Sequence, residues 1–324
     1  MKHLKKTVAI ILALILTVSL AACGGSDSGS KKDNKLTIAY QYGMAYAPLQ
    51  VMKEQKLIEK YYDGVEIEWS VLNSGSAINE GFAGGSIDVG AVGVGPAITG
   101  ITSGVPYKIC SNVSAQPHKV MTNNPNIKSL KDIKDEKIAL VNIGSFQHIV
   151  LAMAAKEQLG DAHALDTNIV AMSHPDGMSS LLSGSVECQL TTSPYVFKEA
   201  AEKGISEVNA LESVWPSGNS FIVAVASTSL QKDNPELYDA VVKAFADAID
   251  YLNNNTKEAA EMLCEAENVD AATMEKWLKD KDCVYSTETK GLMDFANFMS
   301  ENDFLENDGP KDISDLVFDN VKGN

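Results

Sequence analysis

The stretch Ile87-Asp-Val-Gly-Ala-Val-Gly-Val-Gly-Pro96 joins a short apolar run to a glycine-rich turn, and a helical pattern follows it as far as Ser103. The length of the run Ile87–Val92 favours a buried strand over a helix. The next apolar run, Tyr107–Val113, has the same character. Since a strand, a helix and another strand in succession form a β-α-β unit, we predict a parallel sheet here.

The same alternation continues in both directions along the chain. Upstream, Leu36–Tyr40 and Val65–Leu72 read as strands, and Ala47–Tyr61 between them has helical spacing. Downstream, helices are predicted to begin near Gly144, Asp176 and Pro194, and further strands are predicted at Lys137–Val141, Asn168–Ala171, Val186–Thr191 and Ser220–Ala226. This order predicts the α/β class, with two blocks that are each a mainly parallel sheet flanked by helices.

The last third of the chain is helical in pattern. Asn234 is a candidate cap, Pro235 takes the first helical position, and an apolar stripe follows with Leu237, Val241, Phe245, Ile249 and Leu252. We therefore expect a helical C-terminal tail after the two α/β blocks. Candidate boundaries between blocks are 115–119 and 212–219, which contain Pro, Gly and polar residues.

The N-terminus has the pattern of an export signal. Lys2, Lys5 and Lys6 precede the uncharged run Thr7–Leu20, and the sequence Leu20-Ala-Ala-Cys23 follows. The run has 14 residues, which is short for a bilayer span. A cysteine at this position resembles a bacterial lipobox. We expect residues 1–22 to be a lipoprotein signal peptide, Cys23 to be lipidated, and residues 23–35 to be a flexible tether to an extracytoplasmic, membrane-anchored body.

Charge and composition exclude several classes of partner and chemistry. The formal net charge is −16, which disfavours nucleic acid and anionic lipid surfaces. All 27 basic residues are lysine, so no guanidinium is present to clamp an anion. Backbone N–H groups, helix N-termini, hydroxyls, amides, His or Lys would have to hold it. No Cys or His pair has zinc spacing, so we expect no metal and no cofactor; a Cys264–Cys283 disulfide stays open.

The candidate binding residues lie in the loops that follow the predicted strands. Ligands of open parallel sheets bind beyond the carboxyl ends of the strands, where helix N-termini favour an anion. Six such loops are rich in Gly, Ser and Thr. The residues predicted to contact a ligand are Tyr42, Gly43, Ser74, Gly75, Ser76, Gly93, Val94, Gly95, Ser145, Phe146, Gln147, His148, Asp176, Ser193 and Tyr195.

Some of these residues also have simpler interpretations. Ser74, Ser145 and Ser193 could only cap helices. His148 could contact an anion or could be an ordinary helix-start histidine. Asp176 could pair with an ammonium group or could only complement the helix dipole.

Several stretches together carry a family resemblance: Leu36-Thr-Ile-Ala-Tyr40, Asn73-Ser-Gly-Ser76, Gly84-Gly-Ser-Ile-Asp-Val-Gly90 and Ile127-Lys-Ser-Leu-Lys-Asp-Ile133. With the lipobox, the chain resembles extracytoplasmic solute-binding proteins of ABC importers with the type II periplasmic-binding-protein fold. It is most similar to the nitrate, sulfonate and taurine branch, which includes binders of the thiamine pyrimidine precursor. The resemblance implies a two-lobed clamshell, with lobe 1 at 36–118 and 219–324 and lobe 2 at 119–218. It also implies a small-molecule ligand and delivery to a permease and its ATPase.

The sequence leaves two ligand classes open, and it favours one of three classes of function. A small organic anion such as an aliphatic sulfonate, taurine or nitrate is the first choice; a thiamine-related aminopyrimidine or other heterocycle is the alternative. An enzyme is disfavoured because no GxSxG frame, HxxxH pattern or cysteine cluster is present, so no catalytic residue is assigned. An adhesive surface lipoprotein is disfavoured by the convergent polar loops. We expect a monomeric binding protein.

Overall fold

The computed structural model describes residues 34–324, in which two β-sheets are flanked by helices. The predicted signal peptide, the predicted lipidation site Cys23 and most of the predicted tether lie outside the described residues. Among residues 34–324, no helix has the length and apolar character that a membrane span needs. The sheets and helices given below therefore belong to the part of the chain that follows the predicted tether.

Eleven strands occur in the described residues, and they are numbered here along the chain. They are β1 (Lys35–Tyr40), β2 (Glu66–Val71), β3 (Val89–Gly93), β4 (Tyr107–Ala115), β5 (His118–Thr122), β6 (Ile138–Leu140), β7 (Ile169–Ala171), β8 (Cys188–Thr192), β9 (Ser206–Val208), β10 (Ile222–Ser227) and β11 (Val284–Tyr285). The strands form a six-stranded sheet in the order β11-β4-β10-β3-β1-β2 and a five-stranded sheet in the order β7-β6-β8-β5-β9.

Both sheets are mixed, although most of their strands run in one direction. In the six-stranded sheet β1 is parallel to β2 and β3, and β10 lies antiparallel between β3 and β4. The chain re-enters this sheet beside the end of β4, where Ile222 pairs with Ser114, so β10 must run backwards. In the five-stranded sheet β6 is parallel to β7 and β8, and β5 is antiparallel to its neighbours β8 and β9.

The chain passes between the sheets twice. It leaves β4 for β5 through Gln116 and Pro117, and it returns after β9 to begin β10. The strands β5, β9 and β11 are absent from the sequence prediction, because each is short and has no clear alternation of apolar and polar residues. The exact lobe limits at 118 and 219 stay a prediction.

Helices fill the connections between strands and the C-terminal third. The α-helices are Ala47–Glu54, Leu57–Tyr61, Gly75–Ala83, Val94–Thr102, Phe146–Leu159, His174–Ser183, Tyr195–Ala200, Thr228–Asp233, Pro235–Asn254, Thr256–Leu263, Ala271–Leu278, Leu292–Glu301 and Ile313–Leu316. Short 3₁₀ turns occur at Met44–Tyr46, Leu130–Asp132 and Asp166–Asn168. The helix predicted over 47–61 is divided, because Lys56 has a φ of 51° in the left-handed region.

The C-terminal helices complete the core beside the six-stranded sheet. The predicted stripe of the helix Pro235–Asn254 is buried, and this helix packs on Ala47–Glu54 and Leu57–Tyr61. Its cap is also as predicted: the Leu237 N–H donates to Asn234 Oδ1 at 3.4 Å. Cys264 and Cys283 are both free thiols in the structure. The predicted α/β order with a helical tail is confirmed.

Candidate functional site

A cavity of about 330 Å³ lies where the loops of the two sheets meet. Gln41, Leu72 and Gly93 line it from the first sheet, just at or beyond the ends of β1, β2 and β3. Val141, Ser173 and Ser193 line it from the second sheet, just beyond the ends of β6, β7 and β8. The volume suits a small ligand, and the position matches the binding edge of open α/β sheets.

Nine of the fifteen residues predicted for ligand contact line this cavity. They are Tyr42, Gly43, Gly75, Gly93, Ser145, Phe146, Gln147, Ser193 and Tyr195. They come from separate loops of both sheets, which only the fold brings together. Whether they contact a ligand stays a prediction.

Three serine-capped helices open on the cavity. The side chains of Ser74, Ser145 and Ser173 accept hydrogen bonds from the N–H groups of Ala77, His148 and Asp176 at 3.2, 3.2 and 3.3 Å. Each serine thereby satisfies the third N–H group of its helix, while the first N–H groups stay beyond its reach.

The first N–H groups of these three helices belong to residues that line the cavity. Those of Gly75, Phe146 and His174 have no hydrogen-bond acceptor in the described part of the chain. The N–H group of Gln147, at the second position of its helix, also has no acceptor in the described part of the chain, and Gln147 also lines the cavity. Because the helix dipole adds positive partial charge at these ends, the cavity wall suits an anion without any cationic side chain.

The helix starts are brought close together by glycine. A Cβ atom at Gly93 would lie 3.2 Å from the Phe146 Cβ, so the end of β3 nearly touches the start of the helix Phe146–Leu159. A Cβ atom at Gly75 would lie 2.6 Å from the Pro96 Cβ, which is too close for two carbon atoms. Glycine at position 93 therefore lets elements of the two sheets approach each other closely, and glycine at position 75 lets two helices of the first sheet pack together at the cavity.

Polar side chains and aromatic rings share the rest of the wall. Gln147 is buried, and the buried Thr192 Oγ1 has no hydrogen-bond partner in residues 34–324. The Ser193 hydroxyl donates to Gln116 Oε1 at 2.5 Å, so it is already occupied. Phe146 and Phe221 pack with ring centroids 4.8 Å apart and supply an apolar surface. A ligand with a polar head and an apolar body matches this division.

Six residues predicted for ligand contact do not line the cavity: Ser74, Ser76, Val94, Gly95, His148 and Asp176. Ser74 is occupied as a cap, and Ser76 is exposed one position further along the helix. Val94 and Gly95 are buried in the packing between helices. The Asp176 carboxylate is exposed and accepts a hydrogen bond from the Ser173 hydroxyl at 2.5 Å, so it complements its own helix start.

His148 is turned away from the cavity by its own hydrogen bonds. Its Nδ1 accepts from the Gly144 N–H at 3.0 Å, and its Nε2 lies 3.2 Å from Asp166 Oδ1. These partners are consistent with a proton on Nε2, donated to the carboxylate. Burial lowers the pKa of His148, and Asp166 opposes that shift. The side chain therefore fixes the loop before the helix Phe146–Leu159.

The charge of the cavity wall differs from the sequence expectation. His174 lines the cavity, and burial lowers its pKa to about 4, so the imidazole is neutral at pH 7. Glu267 also lines the cavity, in the segment after the helix Thr256–Leu263. Sequence reasoning missed Glu267 because nothing in a helical C-terminal pattern marks one acid among many as a cavity residue.

The chain is similar to known binding proteins over most of its length. A Bacillus subtilis (strain 168) protein named for aliphatic sulfonate binding is 24% identical over 323 residues, which cover 97% of this chain and 95% of the relative. The periplasmic aliphatic sulphonate binding protein of Escherichia coli has a TM-score of 0.69 at 20% identity and covers 89% of this chain and 93% of its own. The alkanesulfonate-binding protein of Xanthomonas axonopodis pv. citri bound to MOPS has a TM-score of 0.70 at 18% identity, with 90% and 99% covered.

These structural likenesses confirm the predicted fold of periplasmic binding proteins. The model of one family, described as the NMT1-like family, matches residues 29–266. This match spans more than half of the sequence, and it includes both passages of the chain between the two sheets. The chain belongs to the NMT1-like family.

Proposed function

We propose that this protein is the substrate-binding protein of an ABC importer, which captures a small organic anion of the aliphatic sulfonate kind. It acts outside the cytoplasm, is anchored through a lipid on Cys23, and delivers its ligand to a permease without chemical change. The names of the relatives support the sulfonate ligand. The N-terminal sequence pattern supports the export and the anchor.

One observation carries the choice of an anion. Residues with unpaired N–H groups at the starts of three helices line one cavity, and no lysine or charged histidine lines it in the described part of the chain. A sulfonate has three acceptor oxygens and one delocalised charge, so several N–H donors can hold it without a formal counter-ion. The apolar wall around Phe146 and Phe221 would receive the alkyl body.

The binding mechanism follows from where the wall residues come from. Gly75 belongs to the part that carries the six-stranded sheet, and Phe146, Gln147 and Thr192 belong to the part that carries the five-stranded sheet. A ligand can contact both sets only while the two parts are close together. Binding would therefore shift the population towards the closed arrangement, which the permease would recognise.

A second ligand class has one observation in its favour. Glu267 and Tyr195 both line the cavity, and the Tyr195 and His174 rings stack with centroids 5.7 Å apart. An aminopyrimidine could donate to the carboxylate and pack on the rings. This heterocycle is the alternative to the sulfonate within the same transport role.

Isothermal titration calorimetry on the purified protein tests the proposal. The panel contains ethanesulfonate, butanesulfonate, 2-aminoethanesulfonate, nitrate and an aminopyrimidine. Saturable binding of the sulfonates, with dissociation constants at least tenfold below that of the aminopyrimidine, is the expected result. Binding of the aminopyrimidine alone would move the assignment to the second class, and no binding by any sulfonate at millimolar concentration would overturn the first.

A further inference from the structure

An acidic side chain lines a cavity that is proposed to receive an anion. Among the described residues that line the cavity, Glu267 is the one acidic residue, and none is a lysine. The acid two residues earlier, Glu265, is exposed and is not part of the wall. An acid in an anion site costs affinity through repulsion unless it is fully compensated, so the presence of Glu267 requires an explanation in the chemistry of the ligand.

The Glu267 carboxylate is only partly compensated by the protein. Its side chain is 11% exposed, and Lys198 Nζ lies 3.7 Å from Oε2, beyond hydrogen-bond distance. Lys198 instead donates to the backbone oxygen of Glu267 at 3.1 Å and lies over the Tyr195 ring, 5.0 Å from its centroid. Burial raises the pKa of Glu267, and Lys198 opposes that shift. A further cation or donor beside this carboxylate would lower its cost of burial.

The acid and the helix starts reach the cavity from different elements. Glu267 lies in the segment beside Lys198, which is on the helix Tyr195–Ala200. The unpaired N–H groups of Phe146 and Gln147 belong to the helix Phe146–Leu159, which, like the helix that carries Lys198, is in the part with the five-stranded sheet. A ligand that fills the cavity could therefore place its anionic end at the helix starts and its other end beside Glu267.

Resting on the proposed function, we propose that Glu267 selects zwitterionic ligands, that is, sulfonates that also carry a protonated amino group. The amino group pairs with the Glu267 carboxylate, and the sulfonate binds at the helix starts. Glu267 is then the specificity-determining residue that separates amino-substituted sulfonates from simple alkanesulfonates. This pairing moves the ammonium contact from Asp176, where the sequence suggested it, to the C-terminal part of the chain.

Calorimetry with a matched pair of ligands tests this assignment. Ethanesulfonate and 2-aminoethanesulfonate differ by one amino group. The native protein is expected to bind the amino compound about 10-fold tighter, the ratio that one partly buried ion pair of about 1.4 kcal/mol gives. Glu267→Gln should reduce the ratio to about one, mainly by weakening the amino ligand. Glu265→Gln, the matched control, should leave the ratio unchanged.

A second variant provides a test that does not depend on whether Glu267→Gln folds. Lys198→Gln removes the partial counter-charge, so the preference for the amino ligand should increase. Equal ratios in the native protein, Glu267→Gln and Lys198→Gln would overturn the role of Glu267 while ethanesulfonate binding still supported the proposed function. Failure of both sulfonates to bind the native protein would overturn the proposed function, and the zwitterion assignment with it.

Discussion

At the scale of single residues, the cavity obtains its polarity from backbone groups that serines leave unpaired. Ser145 caps its helix through the His148 N–H, and the N–H groups of Phe146 and Gln147 remain unpaired. Gln147 adds a buried amide at the same point. A side chain that brings negative charge to this position should therefore oppose the ligand directly.

We predict that Gln147→Glu weakens sulfonate binding at least tenfold, because a carboxylate would stand where the anion is expected. The fold should tolerate the change, since an acid in the first turn of a helix interacts favourably with the dipole. Titration calorimetry measures the affinity, and thermal unfolding measures the stability. Gln231→Glu, at an exposed helix position, is the matched control and should leave the affinity unchanged. Full affinity in Gln147→Glu would remove Gln147 from the site.

Glu199 is a buried acid whose burial should make stability depend on pH. The side chain is fully buried, and neither carboxylate oxygen has a hydrogen-bond partner among residues 34–324. Burial raises the pKa of Glu199 to about 8. Below the unfolded pKa near 4.5 the group is protonated in both states and costs nothing. As the pH rises towards 8, only the unfolded state loses the proton, so the free energy of unfolding falls.

The variant Glu199→Gln should remove this pH-dependent cost. Its gain in unfolding free energy over the native protein should increase between pH 5 and pH 8, to an upper limit of about 5 kcal/mol from a pKa difference of about 3.5 units. Urea unfolding at several pH values measures the gain. Glu202→Gln, an exposed position two residues after the same helix, should show no such trend. A gain that is constant with pH would show that Glu199 does not titrate as proposed.

At the scale of elements, the packing of two helix starts depends on the absence of one side chain. A Cβ atom on Gly75 would lie 2.6 Å from the Pro96 Cβ and 2.7 Å from its Cγ. Alanine has the better helix propensity by about 1 kcal/mol, but overpacking costs about 1–3 kcal/mol and the contact is with a rigid ring. Gly75→Ala should therefore lower the free energy of unfolding.

Urea unfolding of Gly75→Ala is expected to give a loss of up to about 2 kcal/mol, the overpacking cost less the gain in propensity. Because Gly75 also lines the cavity, the affinity for sulfonates should fall in the same variant. Ser76→Ala changes the next residue of the same helix, which is exposed, and should be close to neutral. A stable Gly75→Ala protein would mean that Pro96 can move at little cost.

The elements that sequence reasoning predicted are those whose signals are local. The strand and helix alternation, the cap at Asn234 and the serine-capped helix at Phe146 can be read from a few adjacent residues. The strands β5, β9 and β11 are short, and tertiary pairing determines them. His148 was assigned to the site from its place at a helix start, but a remote partner, Asp166, determines which way it faces.

In the candidate site, the position of Glu267 also depends on tertiary packing that the local sequence does not indicate. The loops after β1, β2, β3, β6, β7 and β8 were expected at one edge of a sheet, because that follows from parallel pairing. The contribution of the C-terminal segment depends on how the helical tail packs, which periodicity does not encode. A pattern of many exposed acids gives no indication that one of them is buried at a cavity.

At the scale of the whole molecule, several contacts join the part with the five-stranded sheet to the C-terminal helices, among them the stacked rings of Phe146 and Phe295, whose centroids are 5.3 Å apart. At one edge the Phe197 and Trp277 rings stack with centroids 5.6 Å apart. At the other edge His163 stacks on Phe304, and its Nε2 lies 2.9 Å from the Asn302 backbone oxygen. These contacts are available only while the two parts are closed around the cavity.

The histidine contact should make closure depend on pH. His163 Nδ1 lies 2.8 Å from Asp166 Oδ2, and a hydrogen bond to this carboxylate, with the Asn302 oxygen second, raises the pKa of His163 above its usual value of 6.5. Both ring nitrogens face acceptors, so only the protonated ring can donate to both at once. The stabilisation is therefore complete below pH 6.5 and is lost as the pH rises through the higher pKa of the closed state.

We predict that the ligand-free protein becomes more open as the pH rises from 6 to 9. Small-angle X-ray scattering should show an increasing radius of gyration for the native protein. His163→Gln can donate to only one acceptor through its amide and does not titrate, so its radius should be larger at pH 6 and constant with pH. Phe197→Leu weakens the opposite edge without a titrating group, so it should be more open at every pH and keep the pH trend. A native radius that does not change with pH would show that the His163 contact does not contribute to closure, and a pH trend that persists in His163→Gln would assign it to another group.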